Sequence, residues 1–176
     1  MPVVAATIPR TEPRSHSVLR EGVIAGAIGA TGVAVWFLLI DVLAGHPFRT
    51  PTLLGGALVS VLGPRGSEGA ITLVVAYTIF HYTAFALVGI FATQVVHWAE
   101  KMPSILAGFL ILFVAVEIGF YGLVAMLSEP AVLGSIAWYQ VLLGNLIAAA
   151  SMGWYLWRTH PGVGARFDDA LSGRES

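Results

Sequence analysis

Long apolar runs dominate the pattern of hydrophobic and polar positions along this chain of 176 residues. Four of these runs each approach the roughly 20 apolar residues that a helix needs to cross the hydrocarbon core of a bilayer. We predict membrane-spanning helices at about 22–44, 70–97, 104–127 and 135–157. The predicted fold class is therefore all-α, a polytopic membrane protein built as a bundle of four transmembrane helices.

A shorter apolar stretch lies between the first two runs, at 51–63. Thr50 followed by Pro51 is typical of a helix start, and Gly63 followed by Pro64 is typical of a stop. At 1.5 Å per residue this helix would be roughly 18 Å long, which is too short to cross a bilayer. We expect it to lie along the interface or to enter the membrane as a shallow re-entrant segment, and a simple covering loop is the alternative.

Polar segments flank the apolar part of the chain. Residues 1–20 are predicted to be a disordered tail, residues 21–157 the four-helix membrane domain, and residues 158–176 a second polar tail. A cleavable signal peptide would put its apolar core close behind the initiator, whereas a polar segment comes first here. If the helices alternate in direction, seven of the nine Lys and Arg residues fall on one side. The positive-inside rule then puts both termini in the cytoplasm.

Composition supports the membrane class and excludes several functions. Hydrophobic residues make up 57% of the chain and charged residues only 11%, where soluble domains carry about a quarter. The formal charge of −1 leaves no basic face that could bind a nucleic acid. Because cysteine is absent, the chain has no disulfide, thiolate nucleophile or sulfur-ligated metal. The lipid bilayer is therefore a predicted partner, and nucleic acid is not.

Glycines recur along the first predicted span. Gly22 and Gly26 are four residues apart, and Gly29 and Gly32 continue on nearby faces. Such a sequence forms a poor helix in water, but in lipid it lets another backbone approach closely. We predict that these positions pack against another helix, either inside the bundle or on a partner.

Polar side chains fall at similar depths on three of the predicted spans. Counted from the outer helix ends, His81, Glu117 and Asn145 all lie roughly 15 Å deep, near the middle of the hydrocarbon. Tyr77 and Tyr121 lie one helical turn further out than His81 and Glu117. We expect His81 to face the bundle interior, with Glu117 or Asn145 beside it.

Two interpretations of this polar layer stay open. The residues could hold a quinone head group or relay a proton between Glu117 and His81, with Asn145 orienting either group. Alternatively they only hold helices together, through hydrogen bonds worth roughly 0.6 kcal/mol each on average in membrane proteins. The second interpretation is the favoured one. Asp41, near the outer end of the first span, is expected to be solvated or to bind a helix end.

The inventory of catalytic groups is small. Motifs for phosphate-binding loops, zinc proteases and serine hydrolases are absent from the sequence. A catalytic zinc needs three protein ligands, and only His81 and Glu117 qualify at mid-membrane depth. Haem with two axial histidines would need a symmetric dimer, because His46, His97 and His160 lie near helix ends. We therefore predict no metal site, no enzymatic activity and no cofactor that the sequence requires.

Three stretches of the chain resemble a known group of proteins. They are WFLLIDVLAGHPFRTPTLLGGAL (36–58), YTIFHYTAFALVGI (77–90) and GNLIAAASMGWYLWRTHP (144–161). They are similar to small four-span integral membrane proteins of bacteria, a group with no assigned activity, so the resemblance carries over no functional residue. The predicted location is the bacterial cytoplasmic (inner) membrane. The chain is unlike the small four-span multidrug transporters, whose key glutamate lies in the first helix.

We expect the protein to be a non-catalytic accessory or structural subunit. It would pack against other membrane subunits or further copies of itself in a larger assembly, such as an energy-transducing complex. A sparse polar interior offers little catalytic inventory, while a glycine face and an apolar exterior suit contacts between helices. One alternative is a site for a lipophilic molecule or a proton on His81, Glu117 and Asn145. The other is a small transporter that is active as an oligomer.

Overall fold

The computed structural model describes residues 17–62, 68–99, 102, 105 and 138–162. Four long helices and no strand occupy these residues. They are α1 (Val18–Leu43), α2 (Arg49–Leu62), α3 (Ala70–Ala99) and α4 (Trp138–Thr159). The all-helical prediction is confirmed for this part of the chain. The predicted span 104–127, which carries Glu117 and Tyr121, lies outside the described residues.

The helix ends differ from the predicted ones by a few residues, for local chemical reasons. α1 begins at Val18, inside the segment predicted as a tail, because Ser17 caps it: the Ser17 hydroxyl accepts from the Arg20 N–H at 3.4 Å. α2 begins at Arg49, just before the predicted start at 51. α3 begins at Ala70, where the sequence predicts it, and continues to Ala99.

The chain leaves α1 through a tight turn at Gly45. The Gly45 N–H donates to the Val42 carbonyl at 3.0 Å, and the His46 N–H donates to the Asp41 carbonyl at 2.9 Å. This pair of bonds is the Schellman motif, in which one residue takes the left-handed conformation. Gly45, with φ at +76°, adopts that conformation without the penalty a Cβ would add. The turn brings the start of α2 beside the end of α1.

α1 is the central helix of the described bundle, and α3 packs closely against it through glycines. Gly22 lies against the backbone of Ile90, Gly26 lies against the backbone of Phe85, and Gly89 of α3 meets both α1 glycines. A Cβ at any of these three glycines would overlap the backbone of the neighbouring helix. In a membrane, close approach of this kind stabilises helix pairs by van der Waals contact.

α4 packs against another side of α1. Gly29 lies against the Met152 side chain, and the Trp36 indole N–H donates to the Gln140 carbonyl at 2.9 Å. Higher residue numbers on α1 therefore contact lower residue numbers on α4, so these two helices are antiparallel. The contacts between α1 and α3 follow the same order. α3 and α4 consequently run in the same direction.

α1 and α3 are long and apolar enough to cross a membrane, and within the described ranges they are the two helices that meet this criterion. Their most apolar stretches have mean hydropathies of 2.3 and 1.8, yet only 28% and 11% of the residues in those stretches are buried. The core helix of a soluble protein would bury most such residues, whereas lipid covers apolar side chains from outside. The two helices thus favour membrane insertion.

Candidate functional site

A cavity of about 260 Å³ opens between α1, α3 and the beginning of α2. Most of its wall is apolar, with Val33, Phe37 and Leu38 from α1 and Val74 from α3. The polar side chains in the wall are Thr31, Asp41, Thr50, Tyr77, Thr78, His81 and Tyr82. The volume is just below the roughly 300 Å³ at which small-molecule sites begin, so the space fits a single ring rather than a large ligand.

His81 is buried in the cavity wall, with 8% of its surface exposed. Its Nε2 lies 3.1 Å from the carbonyl oxygen of Ala30 on α1. Because a carbonyl oxygen can only accept, Nε2 carries the proton, and in the neutral ring Nδ1 is then an acceptor. His81 therefore joins α3 to α1 through one nitrogen and keeps acceptor capacity on the other.

Aromatic rings on α3 surround His81. The Tyr77 ring is stacked on the imidazole with 5.5 Å between centroids, the Phe85 ring lies at 4.7 Å, and Tyr82 packs edge-on at 5.9 Å. The hydroxyls of Tyr82 and Thr31 are 3.0 Å apart and form another hydrogen bond between α3 and α1. These contacts hold the imidazole and the Tyr77 ring side by side in the wall.

Asp41 lines the cavity near the end of α1 and binds the first turn of α2. Its Oδ2 accepts from the Thr50 N–H at 2.7 Å, and its Oδ1 accepts from the Thr50 hydroxyl at 2.8 Å. Asp41 is only 3% exposed, so it is not solvated but binds a helix end, the second of the two environments that the sequence predicts. A helix N-terminus favours a side-chain acceptor and a negative charge. Phe48, the residue before α2, offers neither, and the Asp41 carboxylate supplies both.

The predicted polar layer is only partly described. Tyr77 and His81 come together in the cavity wall, while Glu117 and Tyr121 lie outside the described residues. Asn145 is half-buried on α4, and within the described part of the chain it is not among the residues that line the cavity. The grouping of His81 with Glu117 and Asn145 stays a prediction.

The glycines singled out in the sequence lie at contacts between α1 and its neighbours. Gly22 and Gly26 face the backbone of α3, whereas Gly29 and Gly32 face side chains of α4. The sequence left open whether these positions contact the bundle or a partner. In the structure, the contacts of all four are inside the bundle.

A second group of polar residues was missed by the sequence reasoning. It lies at the end of the bundle where α1 begins and α3 and α4 end. Glu21, His97 and His160 offer ligand atoms that all lie within 4.8 Å of one another. The predicted metal ligands are limited to mid-membrane depth, whereas His97 and His160 lie near helix ends and Glu21 lies at the start of the first span. The helix topology could have indicated this cluster, because the start of one helix lies beside the ends of its antiparallel neighbours.

Comparison with family models, with curated protein sequences and with solved structures finds no match to this chain. Its function is therefore inferred from its own residues. Two places carry the inference: the cavity with Tyr77 and His81, and the cluster of Glu21, His97 and His160.

Proposed function

We propose that this protein binds a small lipophilic molecule within the membrane, in the cavity between α1, α2 and α3. The observation that carries the proposal is the pair of stacked side chains, Tyr77 and His81, in a mainly apolar cavity wall. Small-molecule sites typically combine apolar walls with a few polar groups that fix the orientation of the ligand. The Tyr77 hydroxyl can donate or accept a hydrogen bond, and Nδ1 of His81 can accept one.

These two groups suit a flat ring with oxygen substituents, as in a quinone or quinol head group with an apolar tail. A ring carbonyl would accept from the Tyr77 hydroxyl, and a ring hydroxyl would donate to His81. Contact with the aromatic rings of α3 adds apolar area to the binding energy. The cavity of about 260 Å³ has room for the ring, and the tail would extend into the surrounding lipid.

The setting of the site is a four-span protein in the bacterial cytoplasmic membrane, with both termini in the cytoplasm. α3 and α4 run in the same direction, so if both span, the chain must cross the membrane once more between them. This requirement supports the predicted third span at 104–127. α2 is about 21 Å long, too short to cross. Its Gly55 packs against the Leu73 backbone near the start of α3, which supports an interfacial or re-entrant position.

Ligand retention by matched variants tests the proposed function. The protein is purified from its native membranes in mild detergent, and the organic extract is identified by mass spectrometry. Tyr77→Phe should lower the amount of co-purifying ligand about fivefold or more, because an unmade hydrogen bond at a buried polar group costs about 1–3 kcal/mol. Tyr139→Phe makes the same change at an exposed position on α4 and should retain the ligand. Equal retention by both variants would contradict the assigned role of Tyr77.

A second proposal is that the protein serves as a non-catalytic subunit of a larger membrane assembly. α3 carries a row of large apolar side chains at one-turn spacing: Ile71, Val75 and Ile79 are each more than half exposed. Such a row suits packing against a helix of a partner or a second copy. Companion subunits in stoichiometric amounts in the same purification would support this role. A stable monomer without a companion would contradict it.

A further inference from the structure

We propose that Glu21, His97 and His160 form a binding site for a divalent transition-metal ion, with Zn²⁺ as the preferred ion. The three residues come from the start of α1, the end of α3 and the residue after α4. The site is separate from the cavity, because His97 lies about 24 Å from His81 along the axis of α3. A bound ion would tie the three helices together at one end of the bundle.

The distances within the cluster are close to those of a zinc site. His160 Nε2 lies 3.5 Å from Glu21 Oε2, and the rings of His97 and His160 have centroids 4.9 Å apart at an angle of 77°. In a tetrahedral site, bonds of about 2.0–2.1 Å put neighbouring ligand atoms about 3.3 Å apart. The ligand atoms here lie within 4.8 Å of one another, so side-chain shifts of about 1.5 Å would complete the geometry.

Both imidazoles are held through Nδ1. His97 Nδ1 lies 3.0 Å from the Thr93 carbonyl oxygen. His160 Nδ1 lies 3.1 Å from the Thr159 hydroxyl, which itself donates to backbone carbonyls, and 3.3 Å from the Leu156 carbonyl oxygen. Because these oxygens accept, the proton is on Nδ1 and the lone pair is on Nε2. Histidines that bind metals typically show this arrangement, in which the second nitrogen donates to a carbonyl or carboxylate and fixes the ring orientation.

The ligand types and the burial of the cluster favour a divalent transition-metal ion. Glu21 and His160 are buried, at 7% and 4% exposure, and His97 is half-buried. Two histidines and one carboxylate are a known ligand set for zinc, with the fourth position taken by water. Imidazole also suits copper and nickel, so the competing ions belong in the test.

Metal titration of the full-length protein in detergent tests the site. Protein carrying a histidine-free tag is stripped with a chelator and titrated with Zn²⁺, Cu²⁺, Ni²⁺ and Co²⁺, the last of which reports four-coordination by its visible absorption. We expect one Zn²⁺ per chain and a rise in melting temperature of about 5–10 °C at a hundredfold excess over the dissociation constant. Glu21→Gln and His97→Gln should each weaken Zn²⁺ binding more than tenfold. Loss of a residue that only hydrogen-bonds to a metal ligand already costs at least tenfold, and these variants remove a ligand itself.

The matched controls are Glu68→Gln and His46→Gln, which make the same changes at exposed positions at the other end of the bundle. Both controls should bind Zn²⁺ like the unsubstituted protein. The proposal is overturned if the stripped protein takes up no stoichiometric ion and its melting temperature does not rise. It is also overturned if Glu21→Gln binds Zn²⁺ as tightly as Glu68→Gln. If a cluster variant fails to fold, the Co²⁺ spectrum of the unsubstituted protein still tests the proposal. Absorption typical of four-coordinate Co²⁺ supports the site, and its absence overturns the proposal.

Discussion

Two buried polar residues, His81 and Asp41, are each bound to the backbone of another helix. His81 binds the Ala30 carbonyl, and Asp41 binds the Thr50 N–H as well as the Thr50 hydroxyl. A buried polar group without a partner costs about 1–3 kcal/mol, and the hydrocarbon core offers no water to replace one. Since every residue carries backbone groups, such bonds need no second polar side chain. They therefore leave no matching pair of polar residues in the sequence.

Asp41→Ala should lower the free energy of unfolding by about 1–3 kcal/mol, because it removes both bonds to Thr50 and leaves the start of α2 uncapped. Thermal unfolding in detergent, followed by circular dichroism, measures the change. Glu68→Ala removes an exposed carboxylate and should stay within about 0.5 kcal/mol of the unsubstituted protein. Equal stability of the two variants would show that the Asp41 bonds contribute nothing to folding.

At the scale of helices, the sequence predicts where α1 and α3 lie and that the α1 glycines contact a helix, but not which neighbouring helix each face meets. Their length and apolar content follow from the bilayer thickness, so the predicted spans 22–44 and 70–97 overlap the observed helices closely. The start of α1 depends on the Ser17 hydroxyl, and it lies four residues before the predicted start of the span at 22. Which residues of neighbouring helices meet depends on how their side chains fit together, and a single sequence does not show this. The cluster of Glu21, His97 and His160 depends on such contacts between three helices, so the sequence does not predict it.

Gly89→Ala should destabilise the protein by about 1–3 kcal/mol, because its Cβ would overlap the backbone of Gly22 and Gly26 and push α3 away from α1. Gly153 of α4 is the control, since a Cβ there meets nothing within 4 Å. Gly153→Ala should be neutral or stabilising by up to about 1 kcal/mol, because alanine is the better helix former. Thermal unfolding in detergent compares the two. A Gly89→Ala protein as stable as Gly153→Ala would contradict the close packing of α1 and α3.

At the scale of the whole molecule, polar contacts lie at both ends of the bundle, and the cavity extends from His81 to the Asp41–Thr50 contact at one of these ends. Glu21, His97 and His160 meet at one end, and Asp41 binds Thr50 toward the other. Four spans would put the first end on the cytoplasmic side and the second on the outer side.

Single cysteines can test this orientation without background, because the chain has no cysteine. His46→Cys, in the turn after α1, should react with a membrane-impermeant maleimide on intact cells. Gly162→Cys, after α4, should react only once the membrane is permeabilised. Both positions are exposed, so both can react where the reagent reaches them. Labelling of both cysteines from the same side would contradict the four-span topology.

The most direct measurement of the central claim compares the ligand extracted from Ala34→Phe and from Ala149→Phe. Ala34 is an exposed residue of the cavity wall, so a phenyl ring there would fill the space without disrupting a packed contact. Ala149 is exposed on α4 and makes the matched control. If the cavity is the binding site, ligand is lost from Ala34→Phe and kept by Ala149→Phe, with equal melting temperatures after extraction. Equal amounts of ligand in the two variants would contradict binding in this cavity.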